Sequence, residues 1–401
     1  MTEQAGALAL EGVRVLEMGQ LIAGPFAGFM LGGFGAEVIK VEPPKGGDPM
    51  RGWRMMNGDT SLWWYSIARN KKSITLNLRE EEGRDLLRKL IAETDVLIEN
   101  FRPGRMEKWG CGYEELRKIN PGLIMVRVSG WGQNGPYAEK PGFASVAEGI
   151  GGLRYVTGDP DRPPVRTGIS LGDSLAGLHA ALGALTALRH RDRTGQGQLV
   201  DTAIYESVFN MMESLLPEYD MYQNIRERSG SKLAGIVPSS TYKCKDGKYL
   251  IIGGNGDSIF QRLMRAAGRD DLAQDPRMAD NQGRVKHEAE IDEVLGSWAA
   301  QLTYDEALAA LDEAEVPAGP IYSIEDIAKD PQYQARKMFE QVRLPDGAQL
   351  KIPAMVPKLG DTPATTRWIG PELGAHNAEI YGDLLGLDEG KRAALETDGI
   401  I

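Results

Sequence analysis

Cysteine, histidine and positive charge are all in short supply in this chain. Its 401 residues include two cysteines, Cys111 and Cys244, and four scattered histidines, too few for a disulfide framework or a histidine-rich zinc site. Acidic residues outnumber basic ones by 57 to 46, for a net charge of −11, which argues against a general binder of nucleic acid or anionic membranes. We expect a protein of a reducing compartment, the cytoplasm, with no metal site.

Long hydrophobic runs are missing as well. The most apolar stretch, residues 175–188, is interrupted by His179 and is too short to span a bilayer. The N-terminus lacks the basic start and apolar core of a signal peptide. The composition, 42% hydrophobic and 26% charged, is typical of a soluble globular protein. The sequence therefore predicts neither a membrane nor nucleic acid among its partners.

Short apolar strands alternate with helices through the first half of the chain. Apolar runs predict strands at 13–18, 37–42, 96–101, 123–128 and 198–205, and periodic stretches predict helices at 24–31, 80–94, 113–119 and 173–189. This alternation is typical of a parallel sheet covered by helices on both faces. The predicted fold class is α/β.

The pattern changes near residue 216. A hairpin turning at Asp246–Gly247 and helices near 257–267, 286–302 and 304–314 predict a smaller α+β domain. A second hairpin at 345–347 and a helical tail at about 375–397 would close the chain. The predicted divisions are the N-terminal part of the large domain at 1–215, a linker at 216–240, the small domain at 241–315, a linker at 316–330, and the returning C-terminal part at 331–401.

Two glycine motifs match well-known fingerprints only in their letters. Gly130, Gly132 and Gly135 have G-x-G-x-x-G spacing, but prolines follow where a dinucleotide site requires a helix. Residues 168–172 read G-x-S-x-G, but two prolines precede them where a nucleophile elbow requires a strand. Both the dinucleotide-binding and the serine-hydrolase interpretations are therefore disfavoured.

One carboxylate stands at the start of the long predicted helix, in Gly172-Asp173-Ser174. Asp173 is either an N-cap that satisfies free backbone amides or a carboxylate kept ionised by the helix N-terminus. In the second case it can act as a nucleophile and form a covalent acyl intermediate. The residues alone leave both alternatives open.

Basic residues cluster near the predicted strand ends of the N-terminal third: Lys45, Arg51, Lys71, Lys72, Arg102, Arg105 and Lys108. They form either a solvated surface or a grip on a phosphorylated ligand. Asn100 and Phe101, at the end of a strand, either shape a pocket for an adenine or pantetheine group or belong to the core.

Several long motifs resemble those of the class III CoA-transferases. They are LEGVRVLEMGQLIAGPFAGFMLGGFGAEVIKVEPPKGGDPMRGW, NKKSITLNL, VLIENFRPG, ISLGDSLAGLHAALG, TGQGQLVDTAIYES, VPAGPIYS and PELGAHNAEIYGDLLGL. The resemblance covers the whole chain and implies an interlocked homodimer of ring-like subunits, each with a Rossmann-like large domain. It also implies a CoA thioester as substrate, with no permanently bound cofactor.

The resemblance assigns roles to individual residues. It implies that Asp173 attacks an acyl-CoA, forming an anhydride and then an aspartyl-CoA thioester that a carboxylic acid acceptor resolves. By position, the CoA site would comprise Leu21, Ala23, Lys71, Asn100, Phe101, Arg105 and Lys108. The formyl-CoA transferases have a glutamine where this chain has Ile22; Gln20 stands two residues earlier and is a candidate substrate-binding residue.

Two rival functions and the choice of acceptor stay open. A 2-methylacyl-CoA racemase on the same fold would need a histidine where Phe143 stands, and an acyl-CoA-binding protein would lack catalysis. Arg154 either pairs with an acidic side chain or grips the distal carboxylate of a C4–C5 dicarboxylic acid, with Arg166 as a second candidate. We predict a CoA-transferase that uses such an acid, with succinyl-CoA as the donor.

Overall fold

The computed structural model describes residues 8–401. Contacts divide the chain into two compact units. Unit 1 comprises the chain up to residue 153 together with 167–213 and 334–401, and unit 2 comprises 154–166 and 214–333. The domain and linker boundaries given above remain predictions.

The N-terminal part of unit 1 alternates strands and helices. Its strands are β1 (Arg14–Glu17), β2 (Glu37–Glu42), β3 (Met56–Asn57), β4 (Thr60–Ser61), β5 (Lys71–Thr75), β6 (Val96–Glu99), β7 (Ile124–Ser129) and β8 (Leu199–Ala203). Its helices are α1 (Ala23–Gly33), α2 (Leu62–Ile67), α3 (Glu81–Ala92), α4 (Arg105–Lys108), α5 (Tyr113–Ile119), α6 (Ala144–Ile150), α7 (Leu171–Thr194) and α8 (Ile204–Phe209).

Six of these strands form one parallel sheet in the order β5-β2-β1-β6-β7-β8. Alternate side chains of each strand enter opposite cores, as in β1, where Leu16 packs in one apolar cluster and Val15 in the other. Helices α1 and α7 cover the Val15 face. The α/β fold class with a parallel sheet is confirmed.

The order of the sheet has a consequence for binding. From β1 the chain proceeds outward through β2 to β5, and from β6 it proceeds outward in the other direction through β7 to β8. The strand order therefore reverses between β1 and β6. In open parallel sheets, ligands bind at such a reversal, beyond the carboxyl ends of the strands.

Two predicted elements of this sheet need correction. The sequence analysis has no strand at 71–75, because two lysines open that segment, yet β5 occupies it and Lys71 is fully buried. The strand predicted at 198–205 ends at Ala203, where α8 begins.

Helix α7 is longer than predicted. Its 24 residues give it the length and composition of a membrane span, the one such helix among residues 8–401, and 44% of its most apolar window is buried. It packs against α1, β7 and β8, as the core helix of an α/β protein does.

Unit 2 is built on a small antiparallel sheet. Its elements are α9 (Leu215–Tyr222), β9 (Ser239–Lys243), β10 (Tyr249–Gly253), α10 (Asp257–Ala266), α11 (Asp270–Ala273), α12 (Asn281–Lys286), α13 (Glu288–Ala299), α14 (Tyr304–Glu313), β11 (Ala318–Pro320) and α15 (Ile324–Lys329). The hairpin predicted at Asp246–Gly247 is confirmed by β9 and β10, and Gly247 adopts a left-handed φ of +84°. The helix predicted at 286–302 is confirmed as α13, with shorter bounds, and α12 just before it was not predicted.

The C-terminal elements belong mainly to unit 1. They are α16 (Pro331–Ala335), which crosses the unit boundary, the hairpin β12 (Phe339–Arg343) with β13 (Gln349–Pro353), a π-helical segment Ala378–Leu384, and α17 (Glu389–Thr397). The tail protects the edge strand β5, because the Asn377 Oδ1 accepts the Thr75 N–H at 2.9 Å and the Tyr381 hydroxyl donates to the Thr75 carbonyl at 2.7 Å.

Candidate active site

The loops that follow β1 and β6 are joined where the strand order reverses. The Asn100 side chain accepts the Gln20 N–H at 2.8 Å and donates its own amide to the Gln20 carbonyl, also at 2.8 Å. Asn100, predicted to shape a CoA pocket, therefore engages both backbone groups of Gln20. This clamp fixes the distance between the two loops.

A cavity of about 740 Å³ opens at this edge of the sheet. Its polar and aromatic lining includes Gln20, Lys45, Arg79, Phe101, Arg102, Arg105 and Trp109. Four of these side chains are cations, although the whole chain has a net charge of −11. The lining also contains the carboxylates of Glu42, Glu80 and Asp398, and Glu42 is already paired with Arg51. The cations outnumber the acidic residues by one, and the exposed guanidinium groups suit a ligand that carries phosphate charges.

The aromatic wall of the cavity is ordered by mutual contacts. The rings of Phe101 and Trp109 meet edge to face with centroids 5.3 Å apart, and the Arg105 guanidinium lies 5.5 Å from the Trp109 ring centroid. A planar base could stack on such a wall. Phe101 lines the cavity and also packs against the core, and its role in binding an adenine or pantetheine group stays a prediction.

The cluster of basic residues separates into two groups. Lys45, Arg102 and Arg105 line the cavity, whereas Arg51 makes two hydrogen bonds to the Glu42 carboxylate, at 2.7 and 2.8 Å. Lys72 pairs with Glu37 and Glu379. Lys108 is exposed on α4 and is not among the residues that line the cavity.

Lys71 occupies a different place from the one expected. Its side chain is fully buried, and its ammonium lies 2.7 Å from the Glu17 carboxylate and 2.7 Å from the Pro25 carbonyl. Burial lowers the pKa of Lys71, although Glu17 opposes that effect. A phosphate could contact this ammonium only by displacing Glu17, so we leave Lys71 out of the candidate CoA site.

Arg79 is a cavity residue that the sequence analysis missed. Arg79 lies four residues after the end of β5, a strand that the sequence analysis does not predict. Its exposed side chain lines the cavity. Recognising β5 from its Ser73-Ile74-Thr75 run would have placed Arg79 at the carboxyl edge of the sheet.

The turn before α1 contains two further predicted residues. Leu21 adopts a left-handed φ of +64°, and its N–H donates to the Asp48 carboxylate at 3.0 Å. Ala23 is buried at the first position of α1. Neither residue is among those that line the cavity, and Gln20 is the residue of this turn that does so.

Asp173 is the third residue of α7, and Ser170 is the N-cap. Asp173 is therefore not the N-cap, so that alternative is wrong. Its role as a functional carboxylate stays a prediction. The preceding Gly172 N–H donates to the Glu148 carboxylate at 3.2 Å. A β-carbon at residue 172 would lie 3.1 Å from Glu148 Cγ, so a larger residue here would have to push the Glu148 side chain aside by a few tenths of an ångström.

The start of α7 lies beside the start of α1. A β-carbon at Gly177 would lie 2.8 Å from the Ala23 carbonyl oxygen, so the first turns of the two helices touch. Both helices run back from the carboxyl edge of the parallel sheet. Asp173, one turn before Gly177, is therefore at the same edge as the Gln20 turn, half-buried and at the positive end of a helix dipole.

Arg154 and Arg166 belong to unit 2. Arg154 is half-buried and Arg166 is exposed. Their segment is held by residue 228, whose guanidinium donates to the Tyr155 carbonyl at 3.0 Å. The Tyr155 hydroxyl in turn donates to Glu227 at 2.6 Å.

Comparison with known proteins gives matches along almost the entire chain. The sequence model described as CoA-transferase family III matches residues 10–377. The chain is 51% identical over 402 residues to the succinyl-CoA–D-citramalate CoA-transferase of Chloroflexus aurantiacus, with 100% of both chains covered. It is 44% identical to the beta subunit of the succinyl-CoA–L-malate CoA-transferase of the same organism, with 95% of each covered.

A solved structure has a similar fold. The crystal structure of a CAIB/BAIF family protein from Brucella suis superposes with a TM-score of 0.80 at 36% identity, covering 94% of this chain and 100% of that one.

Proposed function

The chain belongs to CoA-transferase family III, and on that premise we propose that it moves CoA from succinyl-CoA to a C4–C5 dicarboxylic acid. The names of two relatives support this substrate class, since they pair succinyl-CoA with citramalate and malate. One structural observation supports the binding of CoA itself. It is the cavity with four cations beside the reversal of strand order, at the same sheet edge as Asp173.

In the proposed reaction, a carboxylate oxygen of Asp173 attacks the thioester carbonyl carbon of succinyl-CoA. The C–S bond breaks, CoA leaves as its thiolate, and a mixed anhydride remains. The thiolate then attacks the aspartyl carbonyl carbon, which releases succinate and forms an aspartyl-CoA thioester. The acceptor carboxylate reverses these two steps, so that acyl-CoA product leaves and Asp173 is regenerated. Each intermediate keeps an activated carbonyl, and the exchange therefore needs no external energy source.

Replacing Asp173 by asparagine tests this assignment. Asp173→Asn should lose transfer by roughly three orders of magnitude or more, because an amide cannot form the anhydride. With succinyl-CoA and hydroxylamine, the wild type should give a hydroxamate at residue 173, detected by mass spectrometry. Asp192→Asn, an exposed change in the last turns of α7, is the matched control. Transfer by clean Asp173→Asn, or no hydroxamate in wild type, would refute a covalent role.

The racemase and binding-protein alternatives are less well supported. Phe143, 69% exposed, precedes α6 where a racemase would need a proton-transferring side chain. A binding protein without catalysis would yield no hydroxamate in the same experiment. A racemase would form no acyl-aspartyl intermediate either, so this measurement separates the transferase from both alternatives.

The CoA site is proposed to use the cavity cations. Arg79→Ala and Arg105→Ala should each raise the KM for succinyl-CoA roughly tenfold, because each removes a charge-assisted contact to a phosphate. Arg117→Ala, in α5 and partly exposed beside Glu114, is the control. Lys108→Ala tests the remaining predicted cation. Unchanged KM values in Arg79→Ala, Arg105→Ala and Lys108→Ala alike would place CoA elsewhere.

The acceptor is proposed to be held by Arg154, with Arg166 as a second candidate. A planar guanidinium suits the distal carboxylate of a dicarboxylic acid. Arg154→Leu should lower kcat/KM for dicarboxylic acceptors roughly tenfold or more while leaving monocarboxylic acceptors unchanged. Arg162→Leu, exposed in the same segment, is the control. If wild type prefers monocarboxylic acids, the dicarboxylate assignment fails while the transferase remains.

The subunits are proposed to form the interlocked homodimer that the resemblance implies, in the cytoplasm. Support comes from the outward face of α7, where Leu178, Leu182 and Leu185 are 45%, 61% and 41% exposed. Such a stripe is typical of a surface that another chain covers.

A further inference from the structure

The turn before α1 is held in an unusual way. Leu21 has a left-handed φ of +64°, a conformation that non-glycine residues rarely adopt and that persists only where the surroundings impose it. Strained residues of this kind concentrate at functional sites. The contacts around Leu21 show what imposes the conformation here.

Side chains from three separate segments engage three consecutive backbone residues. The Lys40 ammonium donates to the Gly19 carbonyl, Asn100 takes both backbone groups of Gln20, and Asp48 Oδ1 accepts the Leu21 N–H at 3.0 Å. Lys40 and Asp48 are each 1% exposed. Two of the three side chains that hold the turn are thus shielded from water, and the third, Asn100, is half-buried.

Asp48 connects this turn to a buried ionic cluster. Its Oδ2 lies 2.7 Å from the Lys40 ammonium, which also lies 3.1 Å from Glu17. Its Oδ1 accepts the Met50 N–H at 2.9 Å as well as that of Leu21. Buried ion pairs are poor sources of stability compared with apolar packing, so the directional hydrogen bonds to the turn are the more informative feature.

With its backbone fully engaged, Gln20 has one polar group left. Gln20 lines the cavity, and its carboxamide has no hydrogen-bond partner within residues 8–401. Any drift of the turn would move this carboxamide along the cavity wall. The clamp therefore determines where a hydrogen-bonding amide meets the ligand.

We propose that Asp48 is a positioning residue for CoA transfer. Through the Leu21 N–H it holds the turn of residues 19–21 in its left-handed form, so that the Gln20 carboxamide stays directed at the acyl-CoA. This assignment rests on the proposed function, because it takes the cavity to be the acyl-CoA site.

Two double variants test the proposal. Lys40→Met with Asp48→Asn removes both charges and keeps an oxygen that can accept the Leu21 N–H. Lys40→Met with Asp48→Ala removes the same charges and the acceptor. Since both leave Glu17 paired with Lys71, they differ by one carboxamide. Steady-state kinetics with succinyl-CoA and thermal melting are measured for each variant, for Gln20→Leu and for wild type.

The double variant with Asp48→Ala should have a kcat about tenfold below that of the double variant with Asp48→Asn, and the KM for succinyl-CoA should change much less. Gln20→Leu should reproduce the lower kcat without a lower melting temperature, because its side chain supports no other residue. Equal kcat values in the two double variants, corrected for folded fraction, would overturn the proposal. If the alanine variant does not fold, a wild-type kcat in Gln20→Leu overturns it alone.

The wild-type measurement distinguishes a failure of the role proposed for Asp48 from a failure of the proposed CoA transfer. If the wild type transfers CoA and the variants behave alike, only the role of Asp48 fails. If the wild type gives neither transfer nor hydroxamate, the proposed function fails and this inference fails with it.

Discussion

Two regions of unit 1 reverse the usual placement of charged and apolar side chains. Beneath the start of α1, the four charged residues Glu17, Lys40, Asp48 and Lys71 are at most 1% exposed. On the outward face of α7, three leucines are between 41% and 61% exposed. Ionised side chains are rarely buried this completely, and leucine is usually buried.

The first region satisfies its own requirements. Its two cations and two carboxylates balance, and burial, which alone would lower the pKa of Lys40, is outweighed by Asp48 and Glu17, so that this pKa lies above its usual range. Gly28 leaves room for the cluster, because a β-carbon there would lie 1.9 Å from Glu17 Oε2. The cost of burying the Lys40 charge is thus offset inside the chain, whereas for Lys71 burial outweighs Glu17 and the pKa is lowered.

The second region has no such internal solution. Leu178, Leu182 and Leu185 follow helical spacing and form one stripe. Their transfer from water would contribute about 25 cal/mol for each Å² covered, and within unit 1 that contribution is unrealised. The contrast teaches that the buried charges are paired within one chain, whereas the exposed leucines form an apolar surface that the described residues leave uncovered and that the proposed homodimer would cover.

The largest effect is expected from breaking the buried cluster. Glu17→Leu leaves two buried ammonium groups with one carboxylate, which should lower the free energy of unfolding by about 3–5 kcal/mol. Urea denaturation measures it. Glu81→Gln, which removes an exposed charged partner of Arg84 and Arg88, should leave the urea midpoint almost unchanged, because solvent screens that pair. Similar losses in the two variants would contradict the contrast between buried and surface charge.

A smaller effect is expected from charging the leucine stripe. Leu182→Glu should weaken self-association by about 1–3 kcal/mol or more, roughly ten- to a hundredfold, because a carboxylate would be buried in the interface. Sedimentation equilibrium reports the change. Ile119→Glu, a solitary exposed apolar position at 42%, should leave association unchanged. A wild type that is monomeric at micromolar concentration would contradict the proposal that the leucine stripe forms a subunit interface.

A pH-dependent effect is expected from another buried carboxylate, Glu99, at the end of β6. Burial raises the pKa of Glu99 to about 7, although Arg127 at 2.6 Å opposes it. Between pH 4.5 and 7 the folded chain then keeps a proton that the unfolded chain has lost. This contribution to stability is complete below pH 4.5 and is lost as the pH rises through 7, with a slope of at most about 1.4 kcal/mol per pH unit.

Comparing urea denaturation of wild type and Glu99→Gln across pH 4.5–8 isolates that contribution. The glutamine variant should lack this part of the pH dependence, because its side chain does not titrate. Identical pH profiles would show that the ion pair with Arg127 keeps Glu99 ionised over the whole pH range.

Local pattern was enough for elements whose residues obey one periodicity. Strand β2 at 37–42 and helix α5 at 113–119 have the predicted bounds, since apolar runs and amphipathic stripes carry their own signal. Strand β5 was missed because its first residue is a lysine whose partner, Glu17, lies on a distant strand. The additional residues at the end of α7, 190–194, were missed because they are polar and do not continue the apolar pattern of the helix.

The sequence by itself determined the family and the α/β class, and it singled out Asp173, because long collinear motifs and hydrophobic periodicity are properties of the chain alone. Only the tertiary structure decided which cations face the cavity. It removed Lys71, left Lys108 off the cavity wall and added Arg79, and it made Asn100 a clamp on the Gln20 backbone. The reason is physical: whether a charged side chain meets water, a ligand or another charge depends on which distant strands and loops the fold brings beside it.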